Sequence, residues 1–452
     1  MNLSRSISVL LIAGVQVACT ETATDNAVST SNVEDADLRT AIAAADWPMY
    51  HRDLSGNRYS PLTQLTIDNV SDLELSWVYR FNRDDRPRIT GPSSFELYQQ
   101  VTPIVVDGVM YLPSGDRVVA LDPTNGDEIW VHEIDEGLAS FRGVAYWPGT
   151  EEIPPRILFT SLKKIIALNA ADGSRAEGFG VDGEIDLDVA YSGVPTVFGN
   201  RIIIGANFFG PGEVHIGPQL TDPRGQNGNS RGFDAISGEK VWEYNTIPQP
   251  GEVRHETWGN ESWRDRTGNN VWTFALTVDE SAGLVYMPVS TPGANYYGGD
   301  RPGNNEPSNS TVALDALTGE LRWYFQNIHH EIWDYNLPPA AALIDLEIDG
   351  EQIPAVAQTG KSGWMFIMNR LTGEPVFEVE EVPVPAGDVP GEWYSPTQPI
   401  PVKPPPVARV SFDPATDIVT ANDTTADHAA ACRMLWEEVG YYHAGPYTPF
   451  NL

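Results

Sequence analysis

The run His329-His330-Glu331-Ile332-Trp333-Asp334-Tyr335 gathers several chemistry-bearing side chains in seven consecutive positions. A carboxylate such as Asp334 can act as a general base and take a hydroxyl proton. The plain alternative is a turn aspartate that caps its own backbone. His329 and His330 do not make a zinc site, because neither a His-Glu-x-x-His run nor a cysteine accompanies them. They are left a role beside Asp334, at a substrate, or at the surface. Lys361 lies between Gly360 and Ser362-Gly363 at the end of an apolar run. An ammonium there can stabilise developing negative charge, or it can be a solvated lysine at a strand start. Arg142, in Phe141-Arg142-Gly143, offers a guanidinium that fits a carboxylate bidentately. Trp272, after Asn269-Asn270-Val271, can stack on a flat ring. With 13 tryptophans in the chain, it can equally be a packing residue.

Residues so far apart need a scaffold that returns repeatedly to one place, and the sequence holds a repeat that can do this. Its pattern is apolar-apolar-Asp/Asn, three residues, Gly, three residues, aromatic. Copies are Ala120-Leu121-Asp122 with Gly126 and Trp130, Gly232-Phe233-Asp234 with Gly238 and Trp242, and Ala313-Leu314-Asp315 with Gly319 and Trp323. A fourth is Ile367-Met368-Asn369 with Gly373 and Phe377, and a degenerate copy has Asn169 and Gly173 without the aromatic. Trp77 reads as the end of a further unit. The Asp or Asn caps a tight turn, the glycine takes a positive φ, and the aromatic opens the next strand and packs on the neighbouring unit. The turn glycines are 47 to 81 residues apart, which suits four-stranded blades with loops of varied length. Strand-like runs fill the gaps at 102–112, 156–160, 201–205, 284–289 and 356–369. The fold class is all-β, a β-propeller of four-stranded blades, with a β-sandwich as the alternative. About six units are present. Insertions at 208–231 and 291–310, rich in Gly, Pro and Asn, should gather at one mouth of the channel. The Pro-rich stretch 382–407 should resist regular structure, and 427–439 has helical character.

The formal net charge is −34, which disfavours nucleic acid and anionic lipid as partners. A bound anion would need a local island of cations. The two cysteines, Cys19 and Cys432, supply no disulfide framework once a leader is removed, and no Cys-x-x-Cys-His run offers a haem attachment. Residues 1–19 read as an export signal, with Arg5 before the short apolar run 7–18. Cys19 follows Val17-Ala18 as at a lipoprotein cleavage site, although Gln16 suits that motif poorly, so lipidation and simple cleavage both stay open. Residues 20–45 read as a flexible tether, and residues 46–452 as the propeller domain. The expected location is the periplasm, with a membrane link only through a lipid at Cys19.

Several stretches resemble one family. They are Asp46-Trp47-Pro48-Met49-Tyr50, Arg58-Tyr59-Ser60-Pro61-Leu62, Phe141-Arg142-Gly143-Val144-Ala145-Tyr146, Tyr297-Gly298-Gly299-Asp300-Arg301, the His329–Tyr335 run and Gly360-Lys361-Ser362-Gly363. From residue 46 onward the chain resembles the pyrroloquinoline quinone (PQQ) dehydrogenases, closer to the membrane-type glucose, quinate and polyol enzymes than to methanol dehydrogenase. The resemblance implies an eight-bladed propeller holding PQQ with a calcium or magnesium ion, and oxidation of an alcohol, polyol or sugar. It places the general base on Asp334, a charge-stabilising contact to the quinone on Lys361, a carboxylate partner on Arg142, a polar cofactor contact on Gln100 and the stacking ring on Trp272. Asp334 is also an implied metal ligand.

Asn207 is a second candidate metal ligand, since Ile204-Gly205-Ala206-Asn207 stands where the family carries one. At the next such place this chain reads Ser290-Thr291-Pro292 and departs from the pattern. Ser140-Phe141 replaces the adjacent cysteines that methanol dehydrogenase carries. Electrons would pass to a membrane quinone such as ubiquinone, or to a separate cytochrome. The rival readings are a non-catalytic envelope propeller and an inactive fragment of the enzyme. Six units against eight leave the expectation that the ring is incomplete at its C-terminal side.

Overall fold

The computed structural model describes residues 46–81, 100–135, 137–207, 223–271, 274–413, 415–439 and 445–449. The expected signal, Cys19 and the tether lie outside the described residues, as do Trp272 and residues 208–222 of the first insertion.

The chain forms antiparallel meanders in sequence order. The first blade holds β1 (Ile104–Val106), β2 (Val109–Pro113), β3 (Arg117–Leu121) and β4 (Glu128–Glu133). The second holds β5 (Ala145–Trp147), β6 (Arg156–Ser161), β7 (Lys164–Asn169) and β8 (Glu184–Asp186). The third holds β9 (Thr196–Phe198), β10 (Arg201–Ile204), β11 (Ser230–Asp234) and β12 (Lys240–Tyr244). The fourth holds β13 (Thr277–Asp279), β14 (Leu284–Pro288), β15 (Ser310–Asp315) and β16 (Leu321–Gln326). A three-stranded sheet follows, with β17 (Ala342–Ile348), β18 (Glu351–Thr359) and β19 (Met365–Asn369). The last pair is β20 (Val379–Pro383) with β21 (Thr397–Pro401). Among the described residues one α-helix, α1 (Ala426–Val439), stands where helical character is read from the sequence. The all-β propeller is therefore the fold. Among the described residues no strand of β17 to β21 pairs with the first blade, so the ring is not closed.

Burial follows strand position. The middle strands β3, β6 and β14 are buried at every residue because each face meets a neighbouring blade. The outer strands β4, β12 and β16 bury chiefly one tryptophan each: Trp130, Trp242 and Trp323. Those rings make the seams. A Cβ on Gly126 would come 2.7 Å from the Trp77 ring, on Gly173 2.5 Å from Trp130, on Gly319 2.6 Å from Trp242, and on Gly373 2.6 Å from Trp323. Each indole N–H then donates to a carbonyl of the same turn, from Trp77 to Pro123 (3.1 Å), Trp130 to Ala170 (2.9 Å), Trp242 to Ala316 (3.3 Å) and Trp323 to Arg370 (3.0 Å). The turn glycine is thus required twice over, for its positive φ and for the ring lying on it. The second blade lacks the aromatic, and Gly238 meets Ile185 and Phe179 instead.

Residues 47–55 link blades distant in sequence. Trp47 pairs with Val105 of β1, Val278 of β13 donates to the Leu54 carbonyl (2.8 Å), and Leu343 of β17 donates to that of Ser55 (2.8 Å). The segment therefore spans the bore between inner strands. Beyond it, Leu65, Ile67, Val70, Leu73 and Leu75 are exposed apolar side chains.

Four expectations need correction. The run 102–112 is a hairpin, broken by Asp107 (φ 50°) and Gly108 (φ 76°). The run 356–369 is likewise two strands, with Lys361 in the turn between them. The Pro-rich stretch contains most of the β20–β21 ladder. Val402 donates to Glu378, so by alternation Pro399 and Pro401 occupy the positions of β21 that need not donate, which an edge strand tolerates. Phe377 precedes β20 and opens no strand of its own blade.

Candidate functional site

In a meander, successive turns lie at opposite ends of the sheet. The hairpins joining first to second and third to fourth strands share one end, where the repeat glycines sit. The second-to-third loops and the connections between blades share the other. Arg142, Asn207, Asp334 and Lys361 all fall in this second class, as does Gln100 before β1. Hydrogen bonds sew these loops into one rim. Gln100 N–H donates to Phe141 O (3.1 Å) and Thr102 N–H to Arg142 O (3.0 Å). Ser140 Oγ donates to Ser192 O (2.5 Å) and Ser192 N–H to Asn207 Oδ1 (2.9 Å). The rim continues from Ala206 to Val271 O (3.0 Å), from Ser290 to Asn270 O (3.0 Å), from Thr291 to Asn336 Oδ1 (3.0 Å) and from Lys361 to Asn336 O (3.0 Å). The described part of the first insertion joins the rim through Gly228 and Gly268.

On this rim Lys361 Nζ donates to Asp334 Oδ2 at 2.8 Å. Asp334 Oδ1 accepts from Asn295 Nδ2 (2.9 Å) and Asn336 Nδ2 (2.6 Å). Asp334 has φ 61°, a left-handed conformation that Asp tolerates better than most residues. The two side chains remain 21% and 40% exposed, so the pair is open to a ligand. The rings of Trp333 and Tyr335 stack beside it, and the segment 445–449 covers them, with Trp333 Nε1 donating to Thr448 O (2.7 Å) and Tyr335 OH to Pro446 O (2.8 Å).

Arg142 is buried between Phe141 and Phe274, its guanidinium carbon 4.2 Å from the Phe274 ring centroid. It donates to Ser192 Oγ (3.2 Å), the atom that also receives Asn207 Nδ2 (2.6 Å). Burial lowers its pKa to about 10, which leaves it charged at neutral pH. Arg231 is a second buried cation, also lowered to about 10 by burial; Tyr191 interacts with both guanidiniums. It donates to the carbonyls of Val189 and Gly205, next to Asn207. Two buried guanidiniums that share Tyr191 as a neighbour are what an anion site in so acidic a chain would need.

Other candidates fare differently. Gln100 is exposed on the rim, held through its backbone. Asn207 is fully buried and engaged with Ser192, and among the described residues no hydrogen bond links it to Asp334. Trp272 lies outside the described residues. The histidines are turned to other partners. His329 meets Gln326 (2.6 Å) and Glu381 (3.1 Å), and His330 meets Gly303 O (2.7 Å) and Glu392 (3.4 Å). Sequence reading did not single out Asn295, Asn336, Arg231 or the buried Glu331. Their partners lie up to 45 residues away, beyond any local pattern.

Among the described residues no group of three His, Cys, Asp or Glu could hold a metal. The donors near Asp334 are instead neutral amides, and Asn270 Oδ1 is buried on the rim without a hydrogen-bond partner. One carboxylate with amide oxygens suits a hard cation such as calcium or magnesium. Arg142 and Lys361 supply the positive charge a tricarboxylate needs. The residues present fit both groups.

Residues 47–452 match the family described as "PQQ: Glucose/ethanol/alcohol dehydrogenase, beta-propeller domain". The chain is 34% identical over 383 residues to the glycerol dehydrogenase large subunit of Gluconobacter oxydans, covering 79% of this chain and 49% of that protein. It is 30% identical over 457 residues to the quinoprotein glucose dehydrogenase of Escherichia coli, covering 94% and 54%. The quinohemoprotein alcohol dehydrogenase of Comamonas testosteroni superposes with a TM-score of 0.63 at 25% identity, over 82% of this chain and 54% of that one. The chain thus spans about half the length of the curated relatives it matches. With that match over nearly its whole length, and a propeller rim of the expected kind, the chain belongs to the PQQ-dependent, or quinoprotein, dehydrogenase family of oxidoreductases.

Proposed function

We propose that this chain carries the catalytic rim of a dehydrogenase that oxidises the CH–OH group of an alcohol, polyol or aldose. The observation that carries the reading is the Asp334–Lys361 pair at 2.8 Å, half-open on the rim and braced by two amides. Bound PQQ supplies a quinone that accepts the substrate's hydride. Asp334 takes the substrate's hydroxyl proton on its carboxylate. Lys361 places an ammonium where negative charge gathers on the cofactor oxygens. Arg142 neutralises a cofactor carboxylate from within the island it forms with Arg231, Gln100 adds a polar contact, and Trp272 is assigned the stacking face. Asp334 and Asn207 are the assigned ligands of a calcium or magnesium ion.

Electrons leave to a membrane quinone or a separate cytochrome. The working location is the periplasm, and among the described residues no helix is long and apolar enough to cross a membrane. A non-catalytic propeller would have no use for two buried guanidiniums and a carboxylate–ammonium pair on the loops of one rim. The test is PQQ titration with calcium, followed by tryptophan fluorescence and calorimetry, then dye reduction over alcohols, polyols and aldoses. Binding with turnover supports the reading, and no binding by either method refutes it. Asp334→Asn should keep PQQ bound and lose roughly 10²–10⁴ in turnover.

A further inference from the structure

We propose that Glu331 is a positioning residue, whose buried carboxylate fixes the backbone on both sides of Asp334 and so presents that side chain to Lys361. Glu331 is 1% exposed. Its Oε1 accepts two backbone N–H groups, from Trp333 at 2.5 Å and Tyr335 at 2.8 Å. Both end on one oxygen, so the peptide before Trp333 and the peptide after Asp334 are pinned to the same buried carboxylate. Asp334 between them takes φ 61° and sends its side chain outward to Asn295, Asn336 and Lys361. His330, just before the carboxylate, is also left-handed at φ 41°. Such conformations persist in L-residues only when the surroundings over-determine them.

The other carboxylate oxygen ties this loop to the insertion between β14 and β15. Thr291 Oγ donates to Glu331 Oε2 at 2.5 Å, while Thr291 N–H donates to Asn336 Oδ1. Asn309 Nδ2 closes the ring to Thr291 Oγ (3.3 Å) and Tyr335 O (3.1 Å). Arg301, fully buried, holds the Glu331 carbonyl at 2.6 Å. Glu331 touches neither Lys361 nor Asp334 by hydrogen bond among the described residues; it acts through the loop.

The inference rests on Asp334 and Lys361 forming the reactive pair, and the test separates the two claims. Glu331→Gln keeps a carbonyl oxygen for both N–H groups, whereas Glu331→Ala removes the acceptor. With PQQ, calcium and the alcohol or sugar that wild type turns over fastest, Glu331→Gln should stay within about threefold in kcat. Glu331→Ala should lose about 10²-fold in kcat, the usual penalty for a displaced catalytic group, with KM within about threefold. Crystals without cofactor should show the 2.8 Å contact kept in Gln and lost in Ala. If Ala does not fold, Glu331→Asp, too short to span both N–H groups, is read in the same way. An intact contact and normal kcat in Ala overturn the proposal, as does a Gln variant as impaired as Ala. Absence of turnover in wild type would sink the dehydrogenase reading, and the cofactor-free crystals would still decide the claim about Glu331.

Discussion

Replacing Lys361 with methionine separates a chemical role from a structural one. The change keeps the length of the side chain and removes its charge. The backbone bond from Lys361 N–H to Asn336 O does not depend on the side chain, and Asp334 keeps both amide donors. With side chains 40% and 21% exposed, the ion pair is solvent-screened, and such pairs contribute roughly 0.2–1 kcal/mol to stability. Thermal and urea unfolding should therefore move little. Turnover should move a great deal. Removing one preorganised group aimed at developing charge costs roughly 10²–10³ in kcat, or about 2.7–4 kcal/mol in the barrier. The assay is dye reduction with PQQ and calcium, beside urea unfolding of the same preparations. Turnover within threefold of wild type would refute the role. A stability loss above about 2 kcal/mol would show that the lysine is structural.

Trp242→Ala should lose roughly 3–5 kcal/mol in urea unfolding, because the ring fills the seam over Gly319 and its removal leaves the Ala316 carbonyl without its donor. A loss below 1 kcal/mol would mean that these seams do not hold the blades. Burial raises the Glu331 carboxyl from 4.5 to about 7, so the folded state holds a proton that the unfolded chain has released. Its contribution to stability is fully present below about 4.5 and falls as pH rises to about 7. His51 works the other way: burial and then Arg58 lower it from 6.5 to about 4, and stability is lost as pH falls through that range. The difference in urea midpoint between wild type and Glu331→Gln at pH 5 and pH 7 isolates the first trend, and equal differences would refute it. A reporter active only outside the cytoplasm, fused after residue 45, should be active, and silence there would overturn the export reading; palmitate labelling against Cys19→Ala decides lipidation.

The repeat was legible because each of its residues answers a separate local need. Asp234 Oδ1 accepts from the N–H groups of Ile236 and Ser237 within its own turn. Gly238 closes the turn at φ 80°. These needs recur at each blade, so they leave a period in the sequence. The strand boundaries were less legible. Asp107-Gly108 is a two-residue turn signal sitting inside an apolar run, and hydrophobicity alone read through it. The prolines of β21 were misread for the opposite reason. Proline breaks a central strand, but at alternate positions of an edge strand it costs no ladder bond.

The site divides along the same line. Asp334, Lys361 and Arg142 stand out because charged side chains beside glycine and aromatic residues are unusual enough to notice one at a time. Glu331, Asn336 and Asn295 carry no such mark, since each acts on a partner supplied by another loop, as Glu331 does with Thr291 across 40 residues. What brings them together is the parity of the meander. Every blade returns its second-to-third loop and its outgoing connection to one rim, whatever those loops contain. A substitution in the 291–310 insertion can therefore alter how Asp334 is held without touching it. The bracing of Asp334 and Lys361 is a property of the fold's ends rather than of any one motif, and it becomes visible only when the loops of adjacent blades are placed side by side.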